Sequence, residues 1–231
     1  MSRLAAAGDI TREIVAALPD PAARVAVVPV ESGDHRLLSD AERDRANGFR
    51  FPKRRGEWTA GRAAAKLALR DIGGPDAADL TVETGPSGEP VVRGSRFGVS
   101  ITHAGGMAAA VAFPSEHPIG LDLEPVTAID PGLVTLACSD REQEWLADRP
   151  ADQANESLLR IWTAKEAAVK LTGTGLGVPL TQVMVEPISA DLTELEVTLP
   201  SSKNGGETTC RVRVIPIAGW VAALAWFGES P

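Results

Sequence analysis

Apolar runs broken by glycine and proline divide the chain into a repeating series of elements. "ARVAVVPVE" (23–31) reads as a strand and is followed by helical stretches, of which the alanine-rich Trp58–Leu67 has the strongest helical composition. Short β-type runs come next, "LTVET" (80–84), "FGVSITH" (97–103) and "MAAAVAF" (107–113), separated by Gly/Pro turns. The order then recurs: a strand "PIGLDLEPV" (118–126), helices that include Trp162–Leu171, and four strands, "QVMVE" (182–186), "LEVTL" (195–199), "TCRVRVIPI" (209–217) and "WVAALAWF" (220–227). A strand, then helices, then adjacent strands predicts an α+β fold in which antiparallel sheets pack against helices.

The recurrence extends to identities. "WTAGRAAAKL" at Trp58–Leu67 returns as "WTAKEAAVKL" at Trp162–Leu171, with seven of ten positions the same. Ser39-Asp40-x-Glu42 reappears as Ser139-Asp140-x-Glu142, Leu80-Thr81 as Leu180-Thr181, and "GMAAAVAF" (106–113) as "GWVAALAW" (219–226). Four landmarks in one order predict a pseudo-twofold pair of similar halves, 1–115 and 116–231, divided near Ser115 to Pro118. Such a pair places its ligand cleft between the halves. Aligned on the tryptophans, Gly61-Arg62 of the first half stands opposite Lys165-Glu166 of the second, so that one half is expected to grip and the other to react.

With 231 residues, 44% of them hydrophobic, the chain can bury one large core or two smaller ones. Cys138 and Cys210 form no CxxC pair and no metal-type cluster, so neither a disulfide framework nor a zinc site is suggested. Charges at Arg3, Asp9, Arg12 and Glu13 interrupt the N-terminal segment before it reaches signal-peptide length, and no run of about 18 apolar residues spans a membrane. The chain is therefore expected to be cytoplasmic, and to be a monomer, because an internally duplicated chain has less need to dimerise. The net charge of -8 argues against nucleic-acid binding. Yet Arg43 to Arg70 holds nine basic residues against two acids, Asp44 and Glu57, either a solvated helix face or a surface for a polyanion or acidic partner.

Candidate chemistry gathers in the second half. Asp122 and Glu124 of "IGLDLEPV" are two apart on a strand and share a face, while Leu121 and Leu123 face a core. Two carboxylates on an otherwise apolar strand need a cation between them, unless they sit at an exposed strand end. Mg²⁺ suits such a site, taking a few carboxylates together with water and phosphate oxygens at about 2.1 Å. Glu166 and Lys170 are four apart and share a helical face, as a ligand pair or as an ordinary surface ion pair. His103 ends a strand before Ala104-Gly105-Gly106, where backbone can approach a ligand. His35 and His117 lie in no motif, and the glycine-rich "LTGTGLGVP" (171–179) matches neither a phosphate loop nor a dinucleotide fingerprint; it predicts a flexible loop beside the site.

Together these segments resemble the Sfp-type phosphopantetheinyl transferases. The family signature, G-[IVL]-D-[IVL]-E followed by W-x-x-K-E-[AS]-x-x-K, is similar to "GLDLE" (120–124) and "WTAKEAAVK" (162–170), and "SITHAGG" and "FRFPKRRGEWTAGRAAAK" resemble further family segments. The resemblance runs from about Ser39 to Phe227. It implies transfer of the 4′-phosphopantetheine of coenzyme A to a serine of an apo acyl or peptidyl carrier protein, with release of 3′,5′-ADP. It implies Mg²⁺ ligation by Asp122, Glu124 and Glu166, with Glu166 also the general base and Lys170 on the reacting phosphate. Thr102 and His103 match residues that touch coenzyme A phosphates, and Arg54 and Arg62 match nucleotide-phosphate arginines. Gly88-Glu89-Pro90 departs from the Gly-Lys-Pro turn of some members and removes one phosphate contact. Two other activities fit the acidic residues and the basic segment less fully: a Mg²⁺-dependent phosphodiesterase, and a non-catalytic nucleotide-binding module.

Overall fold

The computed structural model describes residues 2–127, 132–173, 177–187, 189–200 and 206–228. Residues 174–176 of the glycine-rich segment lie outside the described residues. The chain opens with helix α1 (Arg3–Ala16), which Ser2 caps by accepting a hydrogen bond from the Ala5 amide at 3.3 Å. The first half continues through β1 (Arg24–Pro29), α2 (Asp40–Asn47), α3 (Pro52–Gly73), the short α4 (Pro75–Asp79), and then β2 (Val82–Thr84), β3 (Pro90–Val92), β4 (Phe97–Ala104) and β5 (Met107–Pro114). The second runs through β6 (Ile119–Pro125), α5 (Gly132–Ala137), α6 (Asp140–Ala147), α7 (Ala151–Thr172), β7 (Met184–Pro187), β8 (Glu194–Pro200), β9 (Glu207–Ile217) and β10 (Trp220–Trp226).

Each half folds its first strand onto its last. The orders β1-β5-β4 and β6-β10-β9 correspond strand for strand, and all pairs are antiparallel. The halves differ at the edge. In the second, β9 also pairs with β8 and β8 with β7, giving five strands, whereas β2-β3 of the first remains a separate hairpin. Among the described residues no helix is long and apolar enough to cross a membrane.

The repeated Ser-Asp-x-Glu segments are capping boxes. Ser39 and Glu42 start α2, and Ser139 and Glu142 start α6, each serine and glutamate satisfying the other's backbone amide. Both glutamates are buried and reach further. The second carboxylate oxygen accepts from the Val82 amide at 2.9 Å in one half and from the Val185 amide at 3.1 Å in the other. Each then meets a buried ammonium, Lys66 on Glu42 at 3.2 Å and Lys165 on Glu142 at 2.6 Å, which also donates to the carbonyl of Leu80 or Leu180.

This twin clamp corrects the register of the duplication. Lys66 and Lys165 are 99 positions apart, close to the 100 that separate the capping serines and the two leucines, whereas the matching tryptophans are 104 apart. The identity of the helical segments is thus displaced from structural equivalence by five residues, about one and a half helical turns. Glu166 stands opposite Leu67, and Arg62 opposite Ile161, so the expected exchange of Gly61-Arg62 for Lys165-Glu166 is not a substitution at one place. Identity between alanine-rich helices is a poor guide to register because small residues fit several registers against a sheet.

Helix α3 covers one face of the first sheet and α7 one face of the second, each with its own apolar cluster. A third cluster joins the halves: Ile10 and Ile14 of α1 pack with Met107, Val111, Leu121, Leu123, Ala222 and Leu224. Sequence patterning assigned α1 no place, yet it lies across both halves.

Candidate active site

Strands β4 and β6 meet where the halves join. The Leu121 amide donates to Ser100 Oγ at 3.1 Å, and Thr102 Oγ1 donates to Asp122 Oδ1 at 2.8 Å. Gly120 brings β6 directly onto α7, since a Cβ there would lie 2.0 Å from the Ala167 carbonyl oxygen. That approach lets Lys170 reach across to Asp122, its Nζ donating to the same Oδ1 at 2.5 Å. The alternation of the strand holds: Leu121 and Leu123 are fully buried in the shared core, and the two carboxylates occupy the opposite face.

Asp122 is 2% exposed, and its Oδ2 is buried without a hydrogen-bond partner. Its neighbours are held in an equally costly state. Burial, and then the charge of Asp122, pushes the Glu124 carboxyl up to about 7, against the opposing effects of the Trp162 indole and Lys170. The indole Nε1 donates to Glu124 Oε1 at 3.4 Å, which is the closest role the structure gives the signature tryptophan and one that spacing alone did not indicate. Glu166, half-buried on the same face of α7 as Lys170, is raised by burial first and Asp122 second. A single ammonium therefore faces three acids. Among the described residues, no three acidic, histidine or cysteine side chains are grouped closely enough to enclose a metal ion unaided.

His103 stands at the exposed end of β4. Desolvation holds its imidazole below the usual range; Glu57 acts upward, and Lys170 and Arg54 downward. Arg54 thus belongs to the rim of the site, exposed on the first turn of α3 with its guanidinium 5.9 Å from the Phe49 ring centre. Arg62, about two turns further along α3, is buried where Arg54 is exposed. It is 7% exposed, donates from Nη2 to the Glu83 carbonyl at 3.4 Å and Thr84 Oγ1 at 3.2 Å, and sits 4.8 Å from the Trp58 ring centre. Burial lowers its pKa, and its Nε is unpartnered. Arg54 and Arg62 thus sit over two contacting rings, Phe49 and Trp58, whose centres are 5.8 Å apart, with Arg54 exposed and Arg62 held by the Glu83 carbonyl and Thr84.

A cavity of about 430 Å³ opens beside Lys170, bounded by Gly88–Val92 and β4 on one side and by Lys170 and Gly173 on the other. The volume is that of a small-molecule site. Glu89 lines it and accepts from the Ser87 amide at 2.9 Å, so its carboxylate closes its own turn.

Comparison with known proteins accounts for this arrangement. A model of the 4'-phosphopantetheinyl transferase superfamily matches residues 118–225, and one of the 4'-phosphopantetheinyl transferase N-terminal domain matches residues 50–113. The 4'-phosphopantetheinyl transferase HetI of Nostoc sp. is 30% identical over 220 residues, 88% of each chain. The chain belongs to the 4′-phosphopantetheinyl transferase family. Other members that it resembles are Npt of Nocardia iowensis, 32% identical over 168 residues (68% of this chain, 73% of that one), and psf-1 of Bacillus pumilus, 26% identical over 141 residues (61% and 60%). As a phosphopantetheinyl transferase the protein uses coenzyme A as substrate and transfers phosphopantetheine to carrier proteins. The family models fall on either side of the turn between β5 and β6.

Proposed function

We propose that transfer is Mg²⁺-dependent, that it occurs where β4, β6 and α7 meet, and that the halves 1–115 and 116–231 divide donor binding from chemistry. The observation that carries this reading is Asp122: one oxygen shared by Thr102 and Lys170, the other buried and unpartnered, beside two carboxyls raised by burial and mutual repulsion. A divalent cation fits this donor set, because its charge relieves the repulsion and its hard-oxygen preference matches carboxylates. Asp122, Glu124 and Glu166 would hold it, and it would supply charge neutralisation at the donor's pyrophosphate.

In this reading the carrier's serine oxygen forms a bond to the β-phosphorus of coenzyme A, and the bond from that phosphorus to the bridging oxygen breaks, releasing 3′,5′-ADP. The serine proton passes to Glu166. Lys170 stabilises charge developing on the leaving oxygen, and the Thr102 hydroxyl keeps Asp122 oriented while competing for the same oxygen as Lys170. Arg54 and His103 border the donor's phosphates, and the 430 Å³ cavity takes the remainder of its nucleotide. The acceptors are apo carrier domains of fatty acid, polyketide or nonribosomal peptide synthases, and the enzyme acts as a cytoplasmic monomer without nucleic acid or membrane.

Intact mass of an apo carrier incubated with enzyme and coenzyme A, with Mg²⁺ or with EDTA, tests the proposal. One added phosphopantetheine in Mg²⁺ alone is expected. Equal modification in EDTA overturns the metal requirement, and 3′,5′-ADP formed without any carrier favours hydrolysis instead.

A further inference from the structure

The start of helix α3 is a second, unassigned feature of the first half. Between Arg43 and Arg55 lie six basic residues and one acid, Asp44, in a protein of net charge -8. Phe51, at the N-cap of α3, is 66% exposed. Arg50 stacks over its ring at 5.7 Å, Arg45 and Arg54 flank the neighbouring Phe49 at 5.5 and 5.9 Å, and the Lys53 side chain is 88% exposed. Among the described residues the other exposed aromatic ring, Phe227, has no such cation over it.

An exposed ring under one guanidinium, beside a second ring flanked by two more, serves no core and costs solvation. It suits a partner that covers the ring with an apolar side chain and meets the cations with carboxylates, the aromatic-and-arginine composition of an interface centre. The first turn of α3 has no acidic residue and no side-chain cap, and Glu57 on the next turn meets Lys53 at 3.8 Å, which leaves the surface positive on balance. It also adjoins the reaction site, since Arg54, one turn on, lies within electrostatic reach of His103.

We propose that Phe51, with Arg50 and Lys53, is a docking surface for the acidic carrier domain, anchoring one apolar side chain of a carrier helix between cations. The inference rests on the catalytic reading above. Against an enzyme of net negative charge, a local positive face is what steers an acidic acceptor to the cleft.

Steady-state kinetics with apo carrier as the varied substrate test this. Phe51→Ala and the double variant Arg50→Glu/Lys53→Glu should each raise KM for the carrier about tenfold or more, leaving kcat at saturating carrier and KM for coenzyme A unchanged. The salt dependence of wild-type kcat/KM should be steeper than that of the double variant. An unchanged carrier KM, or a parallel rise in KM for coenzyme A, overturns the proposal. Since a surface change can also act indirectly, hydrogen-exchange protection by a carrier whose acceptor serine is alanine supplies a second readout. Protection at 49–54 supports the surface, and protection confined to the segments of Val126 and Leu136 assigns docking to the other half. Failure of the wild-type enzyme to modify any carrier would instead reject the catalytic reading.

Discussion

Asp122, Lys170 and Arg54 carry different charges for different purposes, and kinetics can separate them. Asp122→Asn should abolish transfer while preserving the fold, because the amide keeps the shape but loses the charge that attracts both Lys170 and a cation. Lys170→Ala should lower kcat, its contact counting most as charge develops, whereas Arg54→Ala should raise KM for coenzyme A about tenfold or more, as expected for one charge-assisted contact of about 1.5–3 kcal/mol. Equal effects on both parameters in both variants would end this division of labour. Glu124 adds a stability signature. Its pKa rises from an ordinary 4.5 to about 7 on folding, so the unfolded chain loses this proton first as pH increases, and the metal-free protein should lose stability across that interval. Thermal melts of the metal-free enzyme between pH 4.5 and 7 should fall more steeply than those of Glu124→Gln, and added Mg²⁺ should remove most of the difference at pH 7. Parallel curves would show that Glu124 ionises freely.

At the scale of the element, the two long helices are held by what they bury. Lys66 and Lys165 are almost completely inaccessible, and each ties its helix to the N3 glutamate of the preceding helix and to a loop carbonyl. Removing one partner leaves a buried carboxylate unpaired, which typically costs 3–5 kcal/mol. Lys165→Met should therefore lower Tm sharply, and the double variant Lys165→Met/Glu142→Gln should recover part of the loss; no recovery would mean that the ion pair is incidental. Sequence alone singled out Glu166 and Lys170 in the signature helix but gave Lys165 no separate task. Glu166 and Lys170 turn toward the cleft, and Lys165, adjacent in sequence, turns inward, because neighbours on a helix are about 100° apart. The capping boxes were legible in Ser-x-x-Glu spacing, whereas the burial of their glutamates depended on β2 and β7 arriving from elsewhere.

In the whole molecule, α1 spans the shared cluster and fixes how the halves meet, with Arg213 of β9 donating to the Ala17 carbonyl at 3.1 Å. Deleting residues 2–17 would expose Leu121, Leu123, Ala222 and Leu224 beside the strand that carries Asp122. A lower Tm with a disproportionate loss of kcat is expected, measured by melting and by transfer assays on the same sample. Full activity in a truncated but folded enzyme would show that α1 does not support the site. The duplication, the α+β class and the shared faces of Asp122 with Glu124 and of Glu166 with Lys170 were readable from sequence, because strand alternation and helical spacing are local. The sequence by itself thus determined which side chains share a face of each element. Only the tertiary structure decided the register between halves, the burial of Arg62 against Glu83 and Thr84, the indole on Glu124, and the position of α1. Those depend on which surfaces pack together, and burial, rather than spacing, sets the charge state of a carboxyl and the partner of a lysine.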